Sequence, residues 1–462
     1  MSLSGCIKVG PDYVQPDFEQ NIQLDVDADE YIGLVPQKAD ISQWWRVFDD
    51  AILDLIINDA IANNLDLKIA IARLDESRAQ LGITKADKLP TVDAGASVFR
   101  NQQSEVLTGV DRDHYDQYGI NIDASWEIDL WGKVRRNIEA AQAEYQASQE
   151  DRNDFLISVC ADVAHTYFTI RTLQSQEVIT LENLESQKKI VKLVQDLRAA
   201  GLSSGLEEDQ SIRVYAASQT LLPSLRTKLI HNINALSVLL GKSPGYVNHL
   251  LASVPVVPLP PDNVAIDIAA DRVRLRPDVR RAERQLAAQT ARIGVATADL
   301  YPALTLSGSL GAGALHFDDL FSSGSGQYSI GPSVRLNLFN RQRLRQQIEV
   351  EDARTTQALH RYESTVLNAV KDVENALSAY HGQQLQLDSL HNAMRAAQSV
   401  MDKSQDLYRS GLINFQVVLD AERSLLEMEN NYASGRGNTS ILLVGLYRAL
   451  AGGWDMDKSV EE

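Results

Sequence analysis

Two very long runs of helical periodicity dominate the pattern of apolar and polar positions. From Lys133 to Ala200 apolar residues recur at helix spacing, with no proline or glycine in the way. At ~1.5 Å per residue such a helix is roughly 100 Å long, several times the usual helix of a globular core. The run closes in Leu197-Arg198-Ala199-Ala200-Gly201-Leu202. A near copy, Leu407-Tyr408-Arg409-Ser410-Gly411-Leu412, closes a second run that starts near Gln342, at an offset of 407 minus 197, or 210 residues.

Before each long run the period changes from helical to alternating. Val92, Ala94, Ala96 and Val98 alternate with Asp93, Gly95 and Ser97. Between 118 and 129, Tyr118, Ile120, Ile122, Ala124, Trp126 and Ile128 face one way, and Asn121, Asp123, Ser125, Glu127 and Asp129 the other. The second half repeats this: Leu304, Leu306 and Leu310 alternate with Thr305, Ser307 and Ser309, and Tyr328, Ile330, Val334, Leu336 and Leu338 with Ser329, Ser333, Arg335 and Asn337. Gln102–His114 and Gly311–Gly326 read as the two hairpin loops. At an offset of 212, Asp66, Gly82, Asp87 and Pro90 match Asp278, Gly294, Asp299 and Pro302; at 210, Arg135, Ile138 and Asp162 match Arg345, Ile348 and Asp372.

One architecture built twice is therefore expected. An extended arm covers 1–50, with Trp44-Trp45 anchoring its end in the core. A first repeat covers 51–241: a helix from Ala51 to about Asp87, a hairpin over about 91–129, the long helix over about 133–200, and a returning helix over about 206–241 that Pro223 should kink. A proline-rich linker covers 242–262. The second repeat covers 263–451, with a hairpin over about 303–339, a long helix over about 342–409 and a returning helix over about 414–451; a tail covers 452–462.

The strands decide the class. About ten residues of strict alternation suit a strand that crosses a bilayer, although a half-buried soluble sheet alternates in the same way. Four strands cannot close a barrel, and unpaired edges are not tolerated in lipid. If the strands span a membrane, several chains must contribute to one shared barrel with its polar faces turned to the lumen. Phe99, Tyr115, Tyr118, Tyr328, Phe339 and Trp131 near the strand ends fit interfacial girdles. Basic residues follow each hairpin, Lys133, Arg135 and Arg136 after the first and Arg341, Arg343 and Arg345 after the second. Cations at a helix start oppose its dipole. They are expected either to meet lipid phosphate at the inner rim of the membrane or to form a solvated face.

Composition removes several alternatives. The formal charge is −18, from 62 acidic and 44 basic residues, and the basic residues do not cluster; both facts argue against nucleic acid. No apolar run reaches the length of a transmembrane helix. Cys160 falls at an apolar position of the long helix and reads as a buried small hydrophobe. The eight histidines form no i, i+3 or i, i+4 pair, so no metal site is indicated. Gly201-Leu202-Ser203-Ser204-Gly205 fits the G-x-S-x-G pattern, but a helix leads into it where the hydrolase elbow needs a strand. No nucleotide-binding glycine motif occurs. An enzyme is not expected, nor any cofactor.

Several stretches resemble the TolC-like outer membrane factors, in particular their lipoprotein branch. They are Cys6 with Val9-Gly10-Pro11-Asp12-Tyr13, Trp44-Trp45-Arg46-Val47-Phe48, Asn64-Leu65-Asp66-Leu67, the block from Leu275 to Leu286 (LRPDVRRAERQL), and Leu419-Asp420-Ala421-Glu422-Arg423. The resemblance covers nearly the whole chain. It implies a mainly α fold with a β membrane part: a homotrimer with a 12-stranded barrel, four strands per chain, continued by a long α-helical barrel across the periplasm of a Gram-negative bacterium. It implies a passive efflux duct in the outer membrane, coupled to a periplasmic adaptor (membrane fusion) protein and an inner-membrane RND-type pump.

The resemblance also assigns residues. Leu3-Ser4-Gly5-Cys6 has the form of the end of a lipoprotein signal, which makes Cys6 the lipidated residue and its covalent lipid the anchor to outer membrane lipid. The periplasmic gate falls on Asp420 with Gln416 one turn earlier, and on Glu207 and Asp209 in the first repeat. Arg198, Gly201, Gly205, Arg409 and Gly411 become the adaptor-contacting tips. Val417 and Ile413 stand where the family often has a further acid and an arginine, so the closing ion pairs are expected to be fewer here. The other reading of the same elements is a soluble helical scaffold or tethering protein.

Overall fold

The structure is a computed structural model that describes residues 8–16, 33–36, 40–102, 114–252, 256–266 and 270–454. Cys6 and most of the loop between the first two long strands lie outside the described residues. In chain order the elements are β1 (Leu34–Pro36), α1 (Ala51–Asn63), α2 (Leu65–Ala86), β2 (Thr91–Asn101), β3 (Tyr115–Ile128), α3 (Lys133–Ala199), α4 (Gly205–Gln219) and α5 (Leu221–Leu239). There follow β4 (Val264–Ile266), α6 (Ala270–Leu275), α7 (Pro277–Ala298), β5 (Ala303–Ala314), β6 (Gly326–Arg335), α8 (Arg341–Arg409) and α9 (Phe415–Ala449). The two expected long helices are there, of 67 and 69 residues.

The chain forms two compact units. The first gathers Arg73–Gln149 and Arg281–Glu363 with the amino-terminal stretch up to Pro16. Its centre is a four-stranded antiparallel sheet in the order β2-β3-β5-β6. Each repeat supplies one hairpin, and β3 joins them through β5, with Ile122 opposite Leu310 and Trp126 opposite Leu306. Register places Asp93 opposite Asp123, and Leu310 opposite Tyr328. Because side chains alternate, one face collects Val92, Ile122, Leu310, Tyr328, Ile330 and Val334, all exposed, Ile330 to 76%. The other face carries Asp93, Asn121, Asp123, Ser125, Glu127, Thr305, Ser307, Ser309, Ser329 and Ser333. Two like charges directly opposite each other are unfavourable in a sheet, and a wet face is where they are tolerated.

The boundaries differ from the expected ones at this sheet. β5 continues through Gly311 to Ala314, so the loop is shorter than Gly311–Gly326. β6 ends at Arg335, which leaves Leu336, Leu338 and a fully exposed Phe339 outside the sheet.

The second unit gathers Asp17–Ala72, Glu150–Arg280 and Ser364–Glu462. Its core is one apolar cluster. Trp44, Trp45 and Phe48 pack with Leu53, Ile56 and Ile57 of α1, Tyr167 and Phe168 of α3, Leu236 of α5, Tyr380 of α8, and Leu443 and Tyr447 of α9. The tryptophan anchor read from sequence is therefore a core element: Trp44 stacks on Tyr447 at 5.4 Å, and Trp45 Nε1 donates to Asp54 at 2.9 Å. Cys160 is fully buried, and burial pushes its thiol up to about 12, which leaves it inert. Beside this core β1 and β4 form a short parallel pair.

Two helix breaks were not legible in the periodicity. The run from Ala51 splits at Asn64, whose carboxamide accepts from Leu67 N at 2.9 Å and donates to Leu239 O at 2.7 Å. It caps the start of α2 and one of the last carbonyls of α5 at once. The returning helix does not kink in its interior at Pro223. It breaks at Thr220, and Pro223 falls in the first turn of α5, where a missing N–H costs nothing. Replacing Asn64 by alanine removes both capping bonds from a buried site. We expect Asn64→Ala to cost about 2–3 kcal/mol and to lower the melting temperature in detergent by a few degrees.

Candidate functional site: the polar strand face and the helical tip

In the sheet unit, the start of α3 resolves the problem of its cations. Asp129 accepts from the backbone of Val134 at 3.2 Å and of Arg135 at 3.1 Å, and from Arg135 Nε at 3.0 Å. Its charge thus caps the helix and offsets the basic residues there. Lys133 binds Asp299 at 2.7 Å. Arg136 is 1% exposed: it donates to the carbonyls of Val9 at 3.0 Å and Gly10 at 2.9 Å, and pairs with Asp12 and Glu139. Gly294 makes room, since a Cβ there would lie 2.7 Å from the Arg136 side chain.

These three residues, expected at the membrane rim or on a solvated face, are engaged within their own unit. Arg136 is an internal clamp on the amino-terminal arm, and Lys133 and Arg135 are committed to acids of their own unit. Arg341, Arg343 and Arg345 at the start of α8 differ. They are exposed and form no ion pair among the described residues.

Next to the polar strand face is a recess of about 520 Å³, with Ser125, Glu127, Thr305, Ser307, Ser333 and Arg335 on its walls. Such a face suits water and the apolar one suits lipid. No element among the described residues covers the apolar face, which a soluble sheet would require.

In the second unit, two matched turns end the long helices. After α3, Leu202 N bonds Leu197 O at 2.8 Å and Gly201 N bonds Arg198 O at 2.9 Å; after α8, Leu412 N bonds Leu407 O at 2.9 Å and Gly411 N bonds Tyr408 O at 2.9 Å. Both are Schellman motifs with glycine at positive φ, +73° and +69°. Ser204 and Asn414 then cap α4 and α9 by accepting from Glu207 N and Val417 N, each at 3.3 Å. Gly205 is different, being simply the first residue of α4.

The four helices share an apolar core of Ile190 and Val194, Val214, Met401, and Phe415, Val418 and Leu419. A groove of about 190 Å³ runs over it, with Lys189, Leu193, Gln405 and Arg409 on its walls.

The expected gate residues do not share one environment. Asp420 and Gln416 lie on the exposed face of α9, joined at 3.0 Å, with Arg423 3.8 Å from the Asp420 carboxylate. Asp209 is exposed as well. Glu207 is not free: Ser203 donates to it, and Tyr408 Oη donates at 3.4 Å, tying the first turn to the second long helix. Burial, and then the Glu207 charge, raise the Tyr408 phenol. Arg198 pairs with Glu208, whose carboxyl the guanidinium holds below the usual range. That pair was not anticipated, and neither was Glu422, a carboxylate at a position where the helical period asks for a hydrophobe. Its neighbours Leu419 and Leu425 were the available signal.

A sheet with one apolar and one polar face, two outer edges unpaired among the described residues and two helices of nearly 70 residues define the class of a membrane duct with a helical extension. The chain matches the outer membrane efflux protein family over residues 56–242 and 273–452 and belongs to that family. It has the TolC-like fold and is an outer membrane efflux channel protein of the Gram-negative type.

Among its relatives are the probable outer membrane lipoprotein SilC of Salmonella typhimurium, 28% identical over 98% of this chain and 96% of that one. The pyoverdine export outer membrane protein OpmQ of Pseudomonas putida is 31% identical over 90% and 89%. Of solved structures, the outer-membrane channel OprN superposes with a TM-score of 0.89 at 33% identity, covering 97% of this chain and 99% of that one. The open state of the Neisseria gonorrhoeae MtrE channel gives 0.78 at 26%, covering 97% and 99%.

The glycine geometry separates the tip residues. Gly411→Ala puts a Cβ into the left-handed region and should destabilise the second turn by about 1–2 kcal/mol. Gly205→Ala, whose Cβ would meet the Arg198 guanidinium at an ordinary 3.6 Å, should be close to neutral. Amide exchange over residues 410–414 and 201–205 in the two variants checks the contrast.

Proposed function

We propose that three copies of this chain form one passive duct, its barrel closed by pairing of β6 of each copy with β2 of the next and its conduit gated at the turns that end α3 and α8. The observation that carries this is the sheet, whose apolar face is bare and whose outer strands each have one unpaired edge. A bilayer tolerates neither edge, and 12 strands from three chains remove all of them. The chain supplies no chemistry to drive export, so a periplasmic adaptor and an inner-membrane RND-type pump provide energy and selection. Relatives named for pyoverdine export, toluene efflux and cation efflux support a duct that does not choose its cargo. Arg198, Gly201, Gly205, Arg409 and Gly411 form the adaptor-facing turns, with Glu207 bracing them from within.

In the closed trimer the exposed face of α9 turns to the axis, where three Asp420 carboxylates, each with Gln416 beside it, form a ring that repels itself and attracts cations. Arg341, Arg343 and Arg345 remain available for phosphate at the inner membrane rim. A covalent lipid on Cys6 adds an anchor to outer membrane lipid, in keeping with the lipoprotein relative.

Two measurements test this. In planar bilayers Asp420→Ala should raise single-channel conductance or weaken cation preference; unchanged conductance and selectivity would remove Asp420 from the constriction. Protein extracted from membranes should carry an acylated Cys6 by mass spectrometry, and Cys6→Ser should abolish that mass while leaving the fold intact.

A further inference from the structure

Glu422 is a buried carboxyl in the helical tip bundle that the gate does not use. Its side chain is 2% exposed, and no donor among the described residues reaches its Oε1. A charge in such a place is strongly disfavoured. Three further buried oxygens on one face of α3 have no partner among the described residues: the Thr180 hydroxyl and the amide oxygens of Asn183 and Gln187.

The antiparallel register of α3 and α9 puts these groups together. Gln176 Nε2 donates to Ser434 Oγ at 2.9 Å above, and Ile190 and Val418 share one groove below. Interpolation between those contacts sets Glu422 level with Gln187. Gln187 Nε2 in turn donates to Ser218 of α4 at 2.9 Å, which leaves its carbonyl oxygen as an acceptor facing the layer.

We propose that Glu422, Gln187 and Ser218 form a proton-operated latch in the tip bundle: with the Glu422 carboxyl protonated the four helices stay packed, and its ionisation loosens α9 from α3 and favours an open tip. The neutral acid fits the layer because its hydroxyl can donate to an amide oxygen that lacks a donor, that of Gln187. The carboxylate brings one more acceptor and a charge. Burial alone pushes this carboxyl up to about 7. The titratable groups on the stretches of helix packed here include Glu182, Glu185, Lys188 and Lys189 of α3, Arg213 and Tyr215 of α4, Asp402 and Lys403 of α8, and Arg423, Glu427 and Glu429 of α9, and none of them contributes to that displacement.

The sign follows from linkage. The packed state holds a proton that the loosened state releases at its ordinary value of 4.5, so packing is fully favoured below about 4.5. It weakens about tenfold per pH unit between there and about 7, and levels off above, where Glu422 ionises in place.

The latch rests on the reading of the tip as a gate, so the test separates the two. Amide exchange of the 415–430 segment in the full chain, corrected for intrinsic rate, should show an opening constant that rises between pH 5 and 7 and then flattens. Glu422→Gln should keep the segment closed and remove most of the slope, while Glu427→Gln, at an exposed position of the same helix, retains the wild-type slope. A flat wild-type profile, or an unchanged slope in Glu422→Gln, overturns the proposal. Open probability in bilayers should follow the same curve; a pH-dependent exchange in a protein that forms no channel would uphold the latch and count against the duct.

Discussion

A backbone amide in hydrocarbon has no water to turn to, and the rest of this structure answers to that constraint. The sheet exposes Ile122, Leu310, Ile330 and Val334 on one face, which commits it to lipid, yet β2 and β6 are each paired along one edge only. Only a closed ring of strands removes such edges. The polar face explains what the ring is for, since Asp93 opposite Asp123 is a pairing that a dry interior would reject. The two-fold repeat follows naturally: each half delivers one hairpin to the ring and one very long helix, and the same capping chemistry turns both helices back.

The tip combines a shared apolar core with buried polar groups that lack partners among the described residues. Its apolar core of Ile190, Val194, Met401 and Phe415 holds four helices together, but a layer of unsatisfied oxygens and a buried carboxyl interrupt the packing nearby. Such a mix suits the gating role proposed for the tip, since moving elements are drawn from the less stable parts of a protein. The links between the two turns are few and specific, with Tyr408 reaching Glu207 across more than two hundred residues of sequence.

Much of this was legible from residue order alone. Periodicity located both long helices to within a residue or two, and alternation assigned the faces of all four strands. Glycine at a fixed place after each long run announced the Schellman turns. What periodicity could not see were single side chains acting across the fold. Asn64 breaks a helix because its carboxamide finds Leu239, far along the chain. Arg136 looked like one more cation at a membrane rim, and only the packing of Val9 and Gly10 over it shows that it is spent inside. Pro223 was a sure sign of interruption, but the break fell three residues earlier, where a proline in the next first turn is harmless. Glu207 and Asp209 looked equivalent in sequence, and their different partners separate them.

The Arg136 clamp sets a leash. It fixes the chain at Val9, three residues after Cys6, and an extended chain gains at most ~3.6 Å per residue. If Cys6 carries the lipid proposed above, the tether from that point is at most roughly 11 Å of chain. On so short a tether, the acyl chains would serve less as a float that keeps the protein at the membrane than as a pin that fixes the depth at which it sits.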